Sequence, residues 1–376
     1  MEKFLITCVR GLEKELFAEL ETLGFSQLEL VSGGVLTHAK FELAMKACLW
    51  SRQANKVMLC LMEGRVDNEQ GVYNLGRRIK VKPWFHPDTS FCVRSHVNDT
   101  RFRNSLYLAL KLKDAIVDST RDVYGRRPSI DTENPVLTVS LQIIDGHARV
   151  YLELQGQNLS IRAYRKRQGL APIRESLAAS MLGFAAWDKS DLRDPLCGSG
   201  TLAIEAALMA SKTAPGIQRR FAFQSWEIFK DYANDWSLMR EEAKQLRTKP
   251  QVRIEASDIS ELAVANAQRN AQTAGVDEYI EFSVANVFDT KPMPEGGLII
   301  CNPPYGERLE QNDGELMEFY YQLGRHLRAF DGHKLCIISL PEYLKQKLHM
   351  RPFKKQRVHN GPILCELACY ELGKPV

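Results

Sequence analysis

Apolar positions in this chain follow one rhythm up to about residue 157 and another beyond it. Leu12, Leu16, Leu20 and Leu23 form a helical stripe closed by Gly24. A hairpin-like piece around Gly33-Gly34 and a second amphipathic helix over 41–49 come next. Strand, helix, strands, helix predicts a small α+β unit over residues 1–62. A second α+β unit is predicted over 63–157, with a strand at 90–97 and a helix at 106–117. Its last strands, at 136–144 and 148–155, flank the turn Asp145-Gly146. Residues 158–171, which contain the basic run 162–167, predict an interdomain linker.

From residue 172 onward, short apolar runs alternate with helical stretches. A helix over 172–187 leads to a strand ending at Cys197, and helices starting at Thr201, 260–274 and 315–330 alternate with strands at 252–257, 279–284, 297–301 and 334–340. This alternation predicts an α/β domain, 172–376, built on a parallel, doubly wound sheet. Segments 354–359 and 363–372 predict an appended antiparallel hairpin.

Composition narrows the function class. Of 376 residues, 44% are hydrophobic and 26% charged, values typical of a soluble globular protein. No run is long and apolar enough to span a bilayer, so no membrane association is expected. An early acid, Glu2, and the charged stretch 10–15 argue against a signal peptide. Nine scattered cysteines without paired spacing predict reduced thiols in a cytoplasm and no metal site. The net charge of +4 permits an anionic partner, and the clusters matter more than the total. Arg101, Arg103, Asn104 and Lys111 sit among Phe102 and Tyr107, and Arg165, Lys166 and Arg167 form a second block. Cations interleaved with aromatics can follow a phosphate backbone, and a solvated helix face is the alternative.

The candidate chemistry lies at strand ends. Asp194-Pro195-Leu196-Cys197-Gly198-Ser199-Gly200-Thr201 closes one strand and opens a helix. Glycines there let the backbone approach a ligand, and the helix amides offer donors. Gly198, Gly200 and Ala203 also fit a loose dinucleotide fingerprint. The acid that should then follow roughly 20 residues on comes only at Asp258, beyond an aromatic-rich insertion, so a nicotinamide enzyme fits poorly. A carboxylate at Asp258 can accept from two ribose hydroxyls, and Asn286 can meet an adenine edge. Asn302-Pro303-Pro304-Tyr305 ends the strand over 297–301 in a stiff, extended turn with an amide before it and a ring after it. That suits a planar group bearing an amino nitrogen. Polar residues at the carboxyl ends of successive parallel strands share one crevice.

The two motifs together, the second continuing through Gly306-Glu307-Arg308-Leu309, resemble the THUMP-containing, S-adenosylmethionine-dependent RNA guanine-N2 methyltransferases, most of all their bacterial 23S rRNA branch. Residues 98–105 and the following helix resemble the THUMP RNA-binding core, and the N-terminal unit is similar to that family's ferredoxin-like domain. Ala214-Pro215-Gly216 with 223–226 matches the family's insertion. The resemblance implies a Rossmann-like class I methyltransferase domain and S-adenosyl-L-methionine as cofactor. Loop 194–200 would hold its methionine end, Asp258 its ribose, and Asn286 would lie by the adenine amino group, with Thr201, Ile259 and Val287 also in the cofactor site. The family usually has Asp where Asn286 stands. The helix from Pro172 would close the pocket beneath the methionine.

A direct methyl transfer is expected. Asn302 Oδ1 and the Pro303 carbonyl would accept the two amino hydrogens of guanine, Pro304 would stiffen the turn, and Tyr305 would stack on the base. Some members carry a second methyltransferase domain; the chain stops at Val376, so one activity is expected. Alternatives are tRNA guanine-N2 methylation, adenine-N6 methylation, and an inert RNA-binding ribosome assembly factor.

Overall fold

A computed structural model describes residues 1–162, 164–165, 173–305 and 313–373. Strands β1 (Glu2–Thr7), β2 (Glu29–Val31), β3 (Gly34–Ala39), β4 (Lys56–Arg65), β5 (Phe91–Asn98), β6 (Leu137–Ile144) and β7 (His147–Glu153) form one seven-stranded sheet in the order β2-β3-β1-β4-β7-β6-β5. Helices α1 (Glu13–Leu23), α2 (Phe41–Trp50), α3 (Glu69–Arg77) and α4 (Ser105–Tyr124) accompany it. The sequence predicts two α+β units here, and the sheet joins them through β4. This strand pairs with β1 at Lys56 to Leu59 and with β7 at Met58 to Arg65. The expected boundary at residue 62 therefore falls inside a shared strand. Helix α4 follows from its side chains: Asn104 caps it by accepting from the Tyr107 amide, and Leu108, Leu112, Ala115 and Ile116 face the core.

The second sheet has strands β8 (Leu192–Asp194), β9 (Ile254–Asp258), β10 (Glu281–Val284), β11 (Gly297–Cys301), β12 (His333–Ser339), β13 (Lys354–Asn360) and β14 (Ile363–Glu371). Their order is β10-β9-β8-β11-β12-β14-β13. The first five in that order are parallel, as the alternating pattern requires. The hairpin β13–β14 is part of the sheet, because β14 runs antiparallel to β12 from Lys334↔Glu371 to Ser339↔Glu366. Helices α5 (Glu175–Phe184), α6 (Thr201–Ala210), α7 (Ala233–Gln245), α8 (Glu261–Ala274), α9 (Asp313–Leu327) and α10 (Pro341–Gln346) surround it.

The segment between α6 and β9 leaves its own sheet and packs into the N-terminal core. Phe221, Phe223, Trp226 and Trp236 are buried there. The Phe223 ring meets Phe41 edge-on at 6.3 Å, and Trp226 meets Trp84 at 6.0 Å. In return Val9 and Leu12 enter the core of the second sheet. Large aromatic burial of this kind ties the two halves together. No helix among the described residues is long and apolar enough to cross a membrane.

Candidate active site

Strands β8 and β11 are neighbours, and the chain continues from them toward opposite edges of the sheet. Their carboxyl ends bound a crevice at a topological switch point. Asp194 ends β8 and is 1% exposed. Its Oδ1 accepts from the Leu196 amide at 3.3 Å, while Oδ2 has no hydrogen-bond partner among the described residues. Burial, reinforced by the charge of Asp258, pushes its carboxyl up to about 8. Pro195 is buried beside it.

The loop after Asp194 is held from three directions. The Cys197 amide donates to the Ser257 carbonyl at 2.9 Å, which ties the loop to β9. Asn270 Nδ2 donates to the Ser199 carbonyl at 3.0 Å from α8, and Arg165 Nη2 donates to Thr201 Oγ1 at 2.6 Å. Gly200 sits at φ +83, and a Cβ there would lie 2.8 Å from the Ala267 Cβ. This is a close approach only glycine allows. A Cβ on Gly198 would meet nothing within 4 Å, so that face of the loop is open.

Asp258 ends β9. Its Oδ2 accepts from the Gly198 amide at 2.9 Å and its Oδ1 from the Ser260 amide at 3.0 Å. Ile259 is 69% exposed, and Leu262 one helical turn on is equally bare. Together they make an apolar shelf beside the carboxylate. Asn286 follows β10 and caps the short turn Val287–Asp289, its Oδ1 accepting from the Phe288 amide at 3.1 Å; Val287 is buried beneath. The loop after β8 thus lies beside Asp258, and Asn286 follows the next strand of the same sheet, in the order the sequence predicts.

Asn302 follows β11. Its Oδ1 is buried and has no hydrogen-bond partner among the described residues. Such an acceptor costs about 1–3 kcal/mol unless a ligand supplies a donor. Two residues on, the Pro304 carbonyl accepts from the Tyr320 hydroxyl at 3.0 Å. Tyr320 stacks on Tyr343 at 4.9 Å and shares a 2.5 Å hydrogen bond with Ser339. Pro303 is buried.

Several expected roles need correction. Tyr305 is 7% exposed within the core, and its hydroxyl accepts from Asn360 Nδ2 at 2.8 Å. Its ring anchors the end of β11 to β13 and is not presented for stacking on a base. Arg165, assigned to RNA, turns inward: its side chain is 7% exposed, with Nε 3.2 Å from Glu175 and Nη2 on the Ile173 carbonyl. Arg101 is half exposed, yet Asp99 engages it at 2.7 Å and Asp67 at 3.4 Å. Asn104 spends its oxygen on the α4 cap. Arg103 is exposed, and Lys111 Nζ lies 5.4 Å over the Tyr107 ring. Lys166, Arg167 and Pro172 lie outside the described residues.

Sequence reasoning missed the buried node behind the loop. Arg162 Nε lies 3.4 Å from Glu205, the Tyr164 hydroxyl donates to Glu205 at 3.0 Å, and Arg162 Nη2 donates to the Arg52 carbonyl at 2.5 Å. The basic run gave no sign of this, because its acidic partners stand far away in sequence. Tyr320 was foreseeable only as a buried position in the stripe of Leu316, Leu323 and Leu327; its hydroxyl needs a partner that spacing does not show. Among the described residues no group of three metal-ligating side chains converges.

Residues 162–368 match the family described as RMKL-like, methyltransferase domain. The chain belongs to that family. Residues 3–58 match the RlmL ferredoxin-like domain and residues 66–153 the THUMP domain. Among similar proteins, the ribosomal RNA large subunit methyltransferase K/L of Shewanella loihica is 37% identical over 380 residues, and that of Legionella pneumophila (strain Lens) is 35% identical over 375. The alignments cover 99% and 98% of this chain and 53% of each relative. The chain spans about half the length of the curated relatives it matches. Among solved structures, SMU.472, a methyltransferase candidate in complex with SAH, superposes with a TM-score of 0.90 at 25% identity, covering 100% of this chain and 99% of the other. A methylase candidate from Clostridium difficile 630 superposes with a TM-score of 0.91 at 28% identity and the same coverage. This RMKL-like chain thus shares its whole architecture with both.

Proposed function

We infer that this chain transfers a methyl group from S-adenosyl-L-methionine to the exocyclic N2 of a guanine in 23S rRNA. The observation that carries the reading is the buried Oδ1 of Asn302, without a hydrogen-bond partner among the described residues, at the switch-point end of β11 in the same crevice as the loop after Asp194. The large-subunit rRNA name of the relatives supports the substrate, the SAH complex of SMU.472 supports the cofactor, and the THUMP match supports RNA. Guanine N2 rests on the resemblance of residues 194–201 and 302–309 to the guanine-N2 family.

The residues fit the cofactor. Asp194 has an unsatisfied buried oxygen suited to a cationic group, and the positive charge would draw its proton off. Asp258 stands ready for the ribose hydroxyls, with its orientation already set by two backbone amides. Ile259 offers an apolar face to the adenine, beside Val287 and Asn286. When bound, S-adenosyl-L-methionine supplies an electrophilic methyl group.

The chain's own residues prepare the acceptor. A guanine amino nitrogen is weakly nucleophilic because its lone pair is delocalised into the ring. Asn302 Oδ1 accepts one amino hydrogen and the Pro303 carbonyl the other, which favours a localised lone pair and fixes its direction. The rigid Pro303-Pro304 turn, held by Tyr320, makes this alignment inexpensive in entropy. Binding the amine also satisfies the orphaned oxygen, so part of the desolvation cost is already met in the free protein. On the other domain, exposed Arg103 just before α4, with exposed Tyr107 and half-buried Lys111 on it, offers a surface for the RNA strand.

The test is methylation of RNA from a strain lacking the corresponding gene, with labelled cofactor, followed by nucleoside mapping. N2-methylguanosine confined to 23S rRNA is expected. Label in tRNA or on adenine would reassign the acceptor, and no calorimetric signal with S-adenosylhomocysteine would remove the enzyme reading.

A further inference from the structure

A groove of about 720 Å³ runs between α9, the turn after α10 and the β13–β14 hairpin. Arg328, Lys345, His349, Arg351 and Lys355 line it against one carboxylate, Glu366. The whole chain holds 50 Lys and Arg against 46 Asp and Glu, so this imbalance is local. Lys355 lies 3.9 Å from Glu366. Lys345 and Arg351 are exposed and make no ion pair among the described residues.

The packing of the backbone defines this groove. A Cβ on Gly324 would fall 2.4 Å from the Leu348 carbonyl oxygen, so α9 packs its backbone directly against the turn after α10. That turn holds His349 at φ 49, in the left-handed region, and sets its ring edge-on to Tyr321 at 5.8 Å. Tyr321 is 37% exposed, which leaves an aromatic face within a cationic wall.

A buried layer that includes Tyr320 and Tyr343 links the groove wall to the support of the Asn302-Pro303-Pro304 turn. Tyr320 holds the Pro304 carbonyl, and the next residue, Tyr321, opens into the groove. Tyr343 stacks on Tyr320, and the next residue, Leu344, lines the wall. Glu366 pairs in register with Ser339, whose hydroxyl meets Tyr320.

We propose that this groove binds the sugar-phosphate backbone of a single strand of the substrate RNA, a second RNA contact apart from the THUMP domain. The proposal rests on the chain acting on RNA. Unpaired cations interleaved with a ring suit a single strand, whose phosphates and bases alternate along it. The groove wall is built on the same α9, α10 and β14 elements that support the Pro304 carbonyl through Tyr320, so both belong to one rigid part of the methyltransferase domain.

The test compares the full chain with the double variant K345A/R351A, using fluorescence anisotropy of a labelled single-stranded 23S rRNA fragment across about 50 to 200 mM salt. Tenfold or greater loss of affinity is expected. The slope of log affinity against log salt should become shallower by about 1.4, since each single-strand phosphate contact contributes about 0.7. The charge-preserving variant K345R/R351K should keep the slope, and S-adenosylhomocysteine affinity should be equal in all three proteins. If the wild type binds RNA and K345A/R351A matches it in affinity and slope, the groove is lost and the proposed function stands. If the wild type binds S-adenosylhomocysteine but no RNA, both the groove and the RNA part of the function fall. If a polyglutamate peptide occupies the groove and RNA does not displace it, the site belongs to an acidic protein segment and the proposal is overturned.

Discussion

The Asp258 carboxylate and the Gly198 amide meet at 2.9 Å across 60 residues of sequence. This contact locks the loop after β8 to the end of β9. The second oxygen is fixed by the Ser260 amide, so the group is oriented before any ligand arrives. Preorganisation of this kind lowers the cost of binding.

Replacing Asp258 with alanine removes both the ribose acceptor and the partner of the Gly198 amide. Hydrogen bonds to charged groups contribute about 1.5–3 kcal/mol each, so S-adenosylhomocysteine affinity should fall at least about tenfold. Isothermal calorimetry measures this directly. An unchanged dissociation constant would take Asp258 out of the cofactor site.

Asp194 gives the ligand-free protein a pH dependence with a definite sign. Its folded value of about 8 lies above the ordinary aspartate range near 4. Between these values the folded protein holds a proton that the unfolded chain has released. This contribution to stability is therefore full below about pH 4 and declines as pH rises, until it levels off above about pH 8. Asp194→Asn has no such loss, so its melting temperature should exceed that of the wild type by a margin that widens from pH 5 to pH 8. Thermal melts at several pH values check it. Calorimetry of S-adenosylmethionine binding in buffers of different ionisation enthalpy should also show net proton release near pH 7 in the wild type, absent in Asp194→Asn.

Asn302→Ala should separate turnover from folding. Loss of the amine acceptor is expected to lower kcat about a hundredfold or more, in the range seen for single preorganised polar groups. S-adenosylhomocysteine affinity should stay within about threefold. Because the Oδ1 is a buried acceptor with no partner among the described residues, its removal should leave stability unchanged or raise it by about 1 kcal/mol. A clear loss of stability would mean that the amide holds the turn together.

Much of this site was legible in the sequence because its parts sit at strand ends, and strand ends are marked by local signals. The apolar run 297–301 followed by Asn302-Pro303-Pro304 gives β11 to the residue. Ser260 and Gly275 mark the two ends of α8 in the same way. What spacing cannot convey is which way a side chain turns once distant segments pack. Tyr305 reads as a free ring, but the hydroxyl finds Asn360, 55 residues on. The helix α7 and the aromatic segment before it carry an apolar pattern that looks like a loop insertion, because the surface they cover belongs to the other domain. The β13–β14 hairpin seemed an appendage because pairing of β14 with β12 is a long-range event.

Arg165 shows most plainly the difference between a charge in a basic run and a charge in the fold. Its guanidinium is the partner of Glu175, which is itself buried, with its carboxyl pushed above the usual range by desolvation. It also holds Thr201 Oγ1 at the start of α6 and the Ile173 carbonyl. Arg165→Ala strands a buried carboxylate, a change that costs about 3–5 kcal/mol when one member of a buried pair is removed. The double variant R165A/E175Q removes the uncompensated charge and should recover a large part of that loss. Chemical denaturation of the wild type, both single variants and the double variant yields the coupling between the two groups. An RNA-contact role predicts the opposite outcome: near-normal stability in Arg165→Ala, with weakened RNA binding. The burial of both side chains argues for the first result.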